Sequence, residues 1–297
     1  MDGILPLWKP KGMTSHDCVM KVRKLLHTKK VGHTGTLDPE VEGVLPICIG
    51  QATKIVPFLT DTKKTYIAEI CLGSATDTED SYGKVIAEKP VIPLSDEQIN
   101  SAIQSFHGTI TQVPPMYSAV KVKGKKLYEY ARENIEVERP KRLVTIHQIE
   151  RLEQAEPSIN RIRFKAVCSK GTYIRTLCVD IGKKLGYPAH MSYLVRIKTG
   201  SFSEENTVNF DDIVLAKEKG QIGNLLMPIS CGVDHLPTLK VDEITQQKVR
   251  YGQKIKWPVE ELPSTPFKVV FGEGELLAIY KIDPEQPNQI RAVRVFN

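Results

Sequence analysis

The order of apolar and polar residues predicts strands and helices in an irregular succession along this chain. The apolar stretch from Ile4 to Trp8 is typical of a strand and ends in the turn Lys9-Pro10-Lys11-Gly12. Ser15 follows in the position of a helix cap, because a serine hydroxyl accepts hydrogen bonds from the first backbone N–H groups of a helix. Apolar residues then recur at helical spacing, which predicts an amphipathic helix: Cys18, Val19, Val22, Leu25 and Leu26.

Three later segments carry equally regular patterns. A strand is predicted from Tyr66 to Leu72, with one face formed by Tyr66, Ala68, Ile70 and Leu72. Ser95 and Gln98 form a capping box, which opens a helix with the apolar face Ile99, Ala102, Ile103 and Phe106. A strand of alternating residues from Arg161 to Cys168 then leads into a helix whose inner face would be Ile174, Leu177, Cys178, Ile181 and Leu185.

The texture of the chain changes after about residue 230. Short strand-like runs separated by Gly and Pro follow: Lys268 to Phe271, Glu275 to Ile282 and Ile290 to Phe296. We therefore predict a boundary near residues 234–237, between a domain of residues 1–234 and a small β-rich module of residues 235–297. In the first domain strands and helices mix without strict alternation, which favours an α+β fold over a doubly wound parallel sheet.

Length and composition predict an ordinary globular protein. The 297 residues are 41% apolar, enough for sizeable cores. No segment approaches the roughly 20 uninterrupted apolar residues of a membrane span, and the N-terminus lacks the layout of a secretory signal, so a cytoplasmic protein is expected. The six cysteines are scattered without the paired short spacing of a zinc site, and we interpret them as reduced core residues.

Charge is unevenly distributed, although the net charge is only +6. Residues 161–198 hold nine Lys or Arg against one acid, and residues 1–33 hold seven bases against two acids. Residues 69–100 reverse the balance with seven acids and two bases. Clustered cations suit a polyanion such as RNA, and a solvated charged surface is the alternative interpretation.

A basic segment at residues 117–146 interleaves tyrosines with cations. It contains Tyr117, Tyr128 and Tyr130 among Lys121, Lys123, Lys125, Lys126 and Arg132. Such a mixture suits stacking on bases while phosphates are held, although helical tyrosines also simply pack.

The segment from Gly32 to Pro46 has no clear period and is predicted to be a loop. It carries three glycines together with His33, Thr34, Thr36 and Asp38, a content that favours chemistry over packing. Taken alone, Asp38-Pro39 is also a common turn. Proline restrains the preceding residue, so the backbone at the Asp38 carboxylate is expected to be extended.

Several segments in order resemble the bacterial tRNA pseudouridine-55 synthase (TruB) family. They are Lys9-Pro10-x-Gly12-Met13-Thr14-Ser15, Gly32-His33-Thr34-Gly35-Thr36-Leu37-Asp38-Pro39, Gly43-Val44-Leu45-Pro46 and Lys170-Gly171-Thr172-Tyr173-Ile174-Arg175. The resemblance implies the pseudouridine synthase fold, with a central mixed, mainly antiparallel β-sheet flanked by helices, and a PUA-like C-terminal β-barrel that binds RNA. It also implies that the substrate is the uridine at position 55 in the T loop of tRNA.

The resemblance implies that Asp38 is the catalytic nucleophile and that no cofactor or metal is used. An ionised aspartate can attack the sugar C1′ or the uracil C6 and hold the intermediate while the base turns. A buried carboxylate stays ionised only beside a cation, and Arg175 is the partner that the family implies. A phosphate contact is the alternative for Arg175. Arg175 lies in the first turn of a predicted helix, where the positive end of the helix dipole disfavours a cation. This placement indicates that an anion lies nearby.

The remaining family residues concern the substrate. Tyr66 resembles the tyrosine that stacks on the uracil, although it could be a core residue. The target base must be flipped out of its loop; His33 resembles the histidine that fills the vacated space, and Leu194 an apolar residue lining the pocket, while both could be ordinary packing residues. Tyr173 belongs to the last matching block, and we interpret five lysines as phosphate contacts: Lys9, Lys11, Lys21, Lys125 and Lys126.

Three other functions were weighed against a stand-alone tRNA-modifying monomer. A guide-RNA-dependent relative similar to dyskerin would use the same catalytic domain inside a ribonucleoprotein. It is disfavoured because residues 117–146 resemble the RNA-gripping insertion by which the stand-alone bacterial enzymes hold tRNA directly. An RNA chaperone would fold tRNA without chemistry, and this role can coexist with catalysis. A glycoside hydrolase is disfavoured because the usual second carboxylate has no clear candidate.

Overall fold

The computed structural model describes residues 1–154, 158–257 and 265–296. Its strands are β1 (Gly3–Lys9), β2 (Val31–His33), β3 (Glu42–Ile49), β4 (Lys64–Leu72), β5 (Ser74–Thr76), β6 (Val85–Glu88), β7 (Gly108–Gln112), β8 (Lys121–Val122), β9 (Lys125–Lys126), β10 (Arg142–Arg151), β11 (Arg161–Cys168), β12 (Ala189–Thr199), β13 (Phe202–Ser203), β14 (Thr238–Val241), β15 (Ile255–Lys256), β16 (Phe267–Phe271), β17 (Glu275–Ile282) and β18 (Gln289–Val295). Its α-helices are α1 (Ser15–Leu26), α2 (Val56–Thr60), α3 (Asp96–Gln104), α4 (Leu127–Arg132), α5 (Ile174–Lys184), α6 (Phe210–Glu218) and α7 (Glu243–Arg250).

The chain divides into two compact units. The first unit contains Met1–Glu40, Val44–Thr62 and Thr199–Asn297, and the second contains Val41–Gly43 and Lys63–Lys198. In the first unit, β2 pairs antiparallel with β3, and α1 and α6 pack on β1 and β3. The buried cluster that joins them contains Leu5, Leu7, Cys18, Val19, Val22, Leu45, Ile47, Phe210 and Ile213. The predicted first strand and the apolar face of the first helix are therefore confirmed.

The cap of α1 differs from the prediction. Thr14 is the cap residue: its hydroxyl accepts from Asp17 N at 3.0 Å, and the Asp17 carboxylate accepts from Thr14 N at 2.9 Å. Ser15 is instead the first helical residue and is 1% exposed. Thr14 and Ser15 can both cap a helix by their residue type, and the prediction of Ser15 is wrong.

The prediction of one loop from Gly32 to Pro46 is wrong at both ends. Residues up to His33 form β2 and residues from Glu42 form β3, so only residues 34–41 are irregular. From Gly43 to Ile49, β3 is buried at every position. A strand buried on both faces shows no alternation of apolar and polar residues, and its period was missed for that reason.

The C-terminal strands form a separate sheet in the order β14-β16-β17-β18-β15. Its core consists of Leu239, Val249, Phe267, Val269, Leu277, Ala278, Tyr280 and Ile290. The three predicted strands are confirmed within a residue, while β14, β15 and α7 were not foreseen. Ile279 of this sheet and Phe296, which follows it, belong to one buried cluster with Ile4 and Ile55 of the first unit. The boundary between residues 1–234 and 235–297 stays a prediction.

The second unit carries the strand order β12-β4-β11-β10-β7, and β4, β11, β10 and β7 pair antiparallel in that order. Val195 and Arg196 of β12 pair in parallel with Glu42 and Gly43, which makes the sheet mixed. Helix α3 packs on β10 and α5 on β4. The α+β class with a mixed, mainly antiparallel sheet is therefore confirmed, as is the capping box of Ser95 at the start of α3.

The six cysteines are unpaired thiols. Cys18, Cys48, Cys168 and Cys178 are buried as predicted, whereas Cys71 and Cys231 are half-buried. Burial raises the pKa of Cys48 to about 12 and that of Cys168 to about 11. These thiols are therefore packing groups rather than nucleophiles.

Candidate active site

Asp38 lies in the irregular loop between β2 and β3, where its side chain is half-buried. Hydrogen bonds hold the backbone on both sides of it. The Ser15 hydroxyl accepts from Leu37 N at 2.9 Å and donates to Leu37 O at 3.3 Å. The backbone N of Gly12 donates to Pro39 O at 3.0 Å. The motif around Ser15 and the motif around Asp38 are thus parts of one local structure.

Lys9 completes this local structure, and its predicted role as a phosphate contact is wrong. The side chain is fully buried, and its ammonium donates to Pro39 O and to Pro10 O, each at 2.9 Å. A fully buried ammonium is not accessible to the phosphates of an RNA. Because desolvation of a charge is costly, the ammonium needs the two backbone carbonyls as hydrogen-bond acceptors. We assign Lys9 to holding the backbone beside Asp38.

Thr34 anchors the base of the same loop. It is 1% exposed, and its backbone N donates to Pro46 O of β3 at 3.2 Å. His33, the last residue of β2, is half-buried directly before this anchor. The position of His33 is therefore fixed by the hairpin, while its role toward a flipped base stays a prediction.

Lys11 and Lys21, two predicted phosphate contacts of the first unit, are exposed. Lys11 lies in the turn after β1, and the Lys21 ammonium lies 4.0 Å from the centre of the Phe210 ring. Both side chains are thus accessible, as a phosphate contact requires. Contact with RNA stays a prediction for both.

Tyr66 and Leu194 lie on neighbouring strands of the second unit, β4 and β12. Each side chain is 9% exposed. Tyr66 stands opposite Ala166 of β11 in the register of the sheet. Their roles in stacking on the uracil and in lining its pocket stay predictions.

Arg175 is a buried cation in the first turn of α5. It is 6% exposed, and its two terminal nitrogens donate to Thr78 O at 3.0 Å and to Tyr117 O at 2.9 Å. The carboxylate of Asp80 lies 3.9 Å from the same guanidinium. The compensating anion that the helix dipole indicated is therefore present, and it belongs to the acidic turn at residues 77–80.

Glu79 of that turn was not foreseen as part of the site. Its carboxylate accepts from the Thr176 hydroxyl at 2.7 Å, and its backbone adopts the left-handed conformation with φ of 63°. Burial raises the pKa of Glu79 above its ordinary value, although the Thr176 hydroxyl and the Arg175 charge act in the opposite direction. The acidic composition of the turn was visible in the sequence, but its proximity to α5 was not.

Tyr173 precedes α5 and is held by Gln112 at the end of β7. Tyr173 N donates to Gln112 Oε1 at 3.0 Å, and Gln112 Nε2 donates to Tyr173 O at 3.1 Å. Gln112 is 1% exposed. This pair of hydrogen bonds fixes the start of the helix that carries Arg175, and contact of Tyr173 with substrate stays a prediction.

The oppositely charged stretches of the second unit pair with each other. Glu69 is 3% exposed and receives hydrogen bonds from Arg161 at 3.1 Å and from Arg163 at 2.8 Å. Burial opposes ionisation of Glu69, but the hydrogen bonds from Arg163 and Ser192 lower its pKa below the ordinary value. Together with the pair of Asp80 and Arg175, this shows that three of the nine cations at residues 161–198 pair with acids of residues 69–100.

In the segment 117–146, the lysines and tyrosines contact each other. Lys125 forms an ion pair with Glu133 and lies 5.2 Å from the centre of the Tyr130 ring. Lys126 and Arg132 lie 5.3 and 5.2 Å from the centre of the Tyr128 ring. These contacts favour packing as the function of the tyrosines, while the predicted phosphate contacts of the two lysines stay predictions.

Comparison with known proteins decides the family. A model described as "TruB family pseudouridylate synthase (N terminal domain)" matches residues 23–174, and one described as "tRNA pseudouridylate synthase B C-terminal domain" matches residues 175–233. The chain belongs to the TruB family of pseudouridylate synthases. The relatives found for this TruB chain include tRNA pseudouridine synthase B of Oceanobacillus iheyensis, 56% identical over all of this chain and 98% of the relative. That of Bacillus pumilus is 50% identical over the same shares.

Solved structures similar to this TruB chain include chains of two larger complexes. A Cbf5-Nop10-Gar1 complex contains a chain that is 28% identical, with a TM-score of 0.75, covering 99% of this chain and 83% of that one. An H/ACA RNP bound to a substrate RNA containing 2'-deoxyuridine contains another, at 26% identity with the same TM-score, covering 99% of this chain and 85% of that one. The predicted family and the pseudouridine synthase fold are confirmed. Among the described residues, no helix combines the length and hydrophobicity of a membrane span.

Proposed function

We propose that this protein converts the uridine at position 55 in the T loop of tRNA to pseudouridine, with Asp38 as the nucleophile. The full-length relatives at 56% and 50% identity, each named tRNA pseudouridine synthase B, support tRNA as the substrate. The ordered motifs support position 55. The protein acts in the cytoplasm as a monomer without an obligatory protein partner.

One observation carries the assignment of the nucleophile. Asp38 has a half-buried side chain on a backbone that is held at Leu37 by Ser15 and at Pro39 by Gly12 and Lys9. A carboxylate that attacks carbon must be held in position, because orientation supplies much of the rate of such reactions. A turn of ordinary structural function needs no such tethering by a buried lysine.

The reaction requires only groups that the chain supplies. The bond from uracil N1 to C1′ breaks, the base turns, C5 bonds to C1′, C5 loses a proton and N1 gains one. Ionised Asp38 attacks C1′ or C6 and keeps the intermediate covalent while the base turns. The isomerisation is neutral in redox terms and adds no group, so no cofactor takes part.

Other residues serve this step. Arg175 provides the permanent cation that keeps the nucleophile ionised. Tyr66 stacks on the uracil, and its hydroxyl assists removal of the C5 proton. Leu194 lines the pocket, and His33 occupies the space that the flipped base leaves in the loop.

Binding of the RNA backbone is assigned to four lysines, of which Lys11 and Lys21 are exposed and Lys125 and Lys126 are half-buried. Lys11 and Lys21 contact phosphates beside the Asp38 loop, and Lys125 and Lys126 contact them from the insertion at residues 117–146. The C-terminal residues 235–297 form the PUA-like RNA-binding module.

The test is pseudouridine mapping on an unmodified tRNA transcript with purified protein and no guide RNA. We expect modification at position 55 by the wild type, none by Asp38→Asn, and near-normal turnover by Glu40→Gln, which removes an exposed carboxylate two residues away. Activity of Asp38→Asn at the wild-type rate would refute the nucleophile. Modification at another uridine would refute the site of action.

The same assay separates the rival functions. A guide-dependent enzyme would leave the bare transcript unmodified. An additional chaperone role would persist in Asp38→Asn, which should bind tRNA within a few-fold of the wild type while chemistry is lost. Turnover of free uridine or a small glycoside without RNA would favour a hydrolase.

A further inference from the structure

The hydroxyl of Ser15 is placed for a function other than helix capping. Thr14 caps α1, so Ser15 is not needed for that purpose. Ser15 is 1% exposed, and the hydrogen bonds that its hydroxyl forms within the described part of the chain are both with Leu37, a residue that is 22 positions away and is itself 4% exposed. A buried hydroxyl with two hydrogen bonds to one distant residue indicates a dedicated tether.

The two hydrogen bonds restrain two successive peptide groups. Leu37 N belongs to the peptide group before this residue, and Leu37 O belongs to the peptide group that leads into Asp38. Since Ser15 accepts from the first at 2.9 Å and donates to the second at 3.3 Å, it restrains rotation of the chain just before the carboxylate.

The chain is restrained on the other side as well. Pro39 O accepts from Gly12 N at 3.0 Å and from Lys9 Nζ at 2.9 Å. The residue between the two tethers is Asp38. Its backbone is therefore held from both directions by one segment, residues 9–15. The tether at Leu37 depends on the Ser15 hydroxyl, which a conservative substitution can remove.

We propose that Ser15 is a positioning residue, which sets the direction of the Asp38 carboxylate for attack on the nucleotide. This inference rests on the proposed role of Asp38 as nucleophile. Ser15 itself does not touch the substrate. Without its hydroxyl, the peptide group before Asp38 can rotate, and the carboxylate then spends less time in the attacking position.

The test is single-turnover kinetics with enzyme in excess over a tRNA transcript, alongside tRNA affinity. A small misplacement of a reacting group costs about a hundredfold in rate, so Ser15→Ala should lose on that order of turnover with tRNA affinity unchanged. Ser15→Thr keeps the hydroxyl and should recover much of the rate. Ser201→Ala is the control, because it removes a half-buried hydroxyl of the first unit that lies within hydrogen-bond distance of Cys231 O and of the Asp234 carboxylate.

Several results would overturn the proposal. They are a normal rate for Ser15→Ala, a Ser15→Thr rate no higher than that of Ser15→Ala, or an equal loss of rate in Ser201→Ala. Asp38→Asn is measured in parallel: if it stays active, the nucleophile assignment fails, whereas a dead Asp38→Asn with a normal Ser15→Ala refutes the Ser15 proposal alone.

Hydrogen exchange of the wild-type protein tests the tether without any variant. The amide of Leu37 donates to the Ser15 hydroxyl, and that of Thr34 donates to Pro46 O. The Leu37 amide should therefore exchange as slowly as the Thr34 amide. Exchange of the Leu37 amide at the rate of an unstructured peptide would refute the proposal even if Ser15→Ala failed to fold.

Discussion

Substitution of Arg175 by lysine tests whether the planar guanidinium, rather than positive charge alone, is required. Arg175 donates to Thr78 O and to Tyr117 O through two different nitrogens, while it is 6% exposed. A lysine ammonium at the end of a shorter, unforked chain can satisfy one of these carbonyls. One charge-assisted hydrogen bond is therefore lost, at a cost of about 1.5–3 kcal/mol in the free energy of unfolding.

The expected effects differ between stability and turnover. At about 2–3 °C per kcal/mol for a chain of this size, the loss corresponds to a fall of roughly 3–9 °C in Tm. Turnover should fall much further, by about a hundredfold or more, because the nucleophile loses a preorganised cation. Affinity for tRNA should stay within a few-fold, since a buried guanidinium bound to carbonyls is not a phosphate contact.

Arg161→Lys is the control for this experiment. Arg161 also donates to a buried acceptor, Glu69, but its own side chain is 55% exposed, so its loss should cost no more than about 1 kcal/mol and leave turnover normal. Thermal unfolding, single-turnover pseudouridine formation and tRNA affinity are measured on both variants. Near-normal turnover of Arg175→Lys would refute the role of Arg175, and a parallel loss of affinity would indicate a phosphate contact instead.

Three further predictions follow from the structure. Gly43→Ala should lower the free energy of unfolding, measured by urea titration, by about 3–5 kcal/mol. The φ of Gly43 is +128°, and an added Cβ would lie 2.7 Å from a backbone nitrogen of β12. Gly186→Ala is the control, with φ of +85° and open space around it; it should cost about 1 kcal/mol, and equal costs would contradict the steric argument. Lys11→Gln should reduce the slope of log affinity for tRNA against log salt by about 0.7–0.9, whereas Lys9→Gln should destabilise the fold and leave the slope unchanged. Burial raises the pKa of Glu79, so the folded protein binds a proton at this carboxylate more tightly than the unfolded chain does. Stability of the fold therefore falls as pH rises through the folded pKa. Glu79→Gln should be more stable than wild type at about pH 7 but not near pH 4, and a pH-independent difference would refute this.

The chemistry around Asp38 shows how far local pattern extends. The ordered motifs identified the family, and the periodicity of residues 66–72, 95–106 and 161–168 located strands and a helix that the structure contains. These predictions succeeded because an amphipathic element is specified by residues two to four positions apart. The sequence also predicted a phosphate contact for Lys9 and a helix cap for Ser15, whereas Lys9 is fully buried and Thr14 caps the helix.

The sequence by itself determined the family, the fold class and the residues whose side chains can take part in chemistry. Only the tertiary structure decided which of those residues are accessible and which hold others in place. Lys9 and Ser15 are far in sequence from the loop they tether, and Arg175 lies 97 positions from Thr78, whose carbonyl it binds. Burial and hydrogen-bond partners at such separations depend on how sheets and helices pack, and no short-range pattern of residues records that packing.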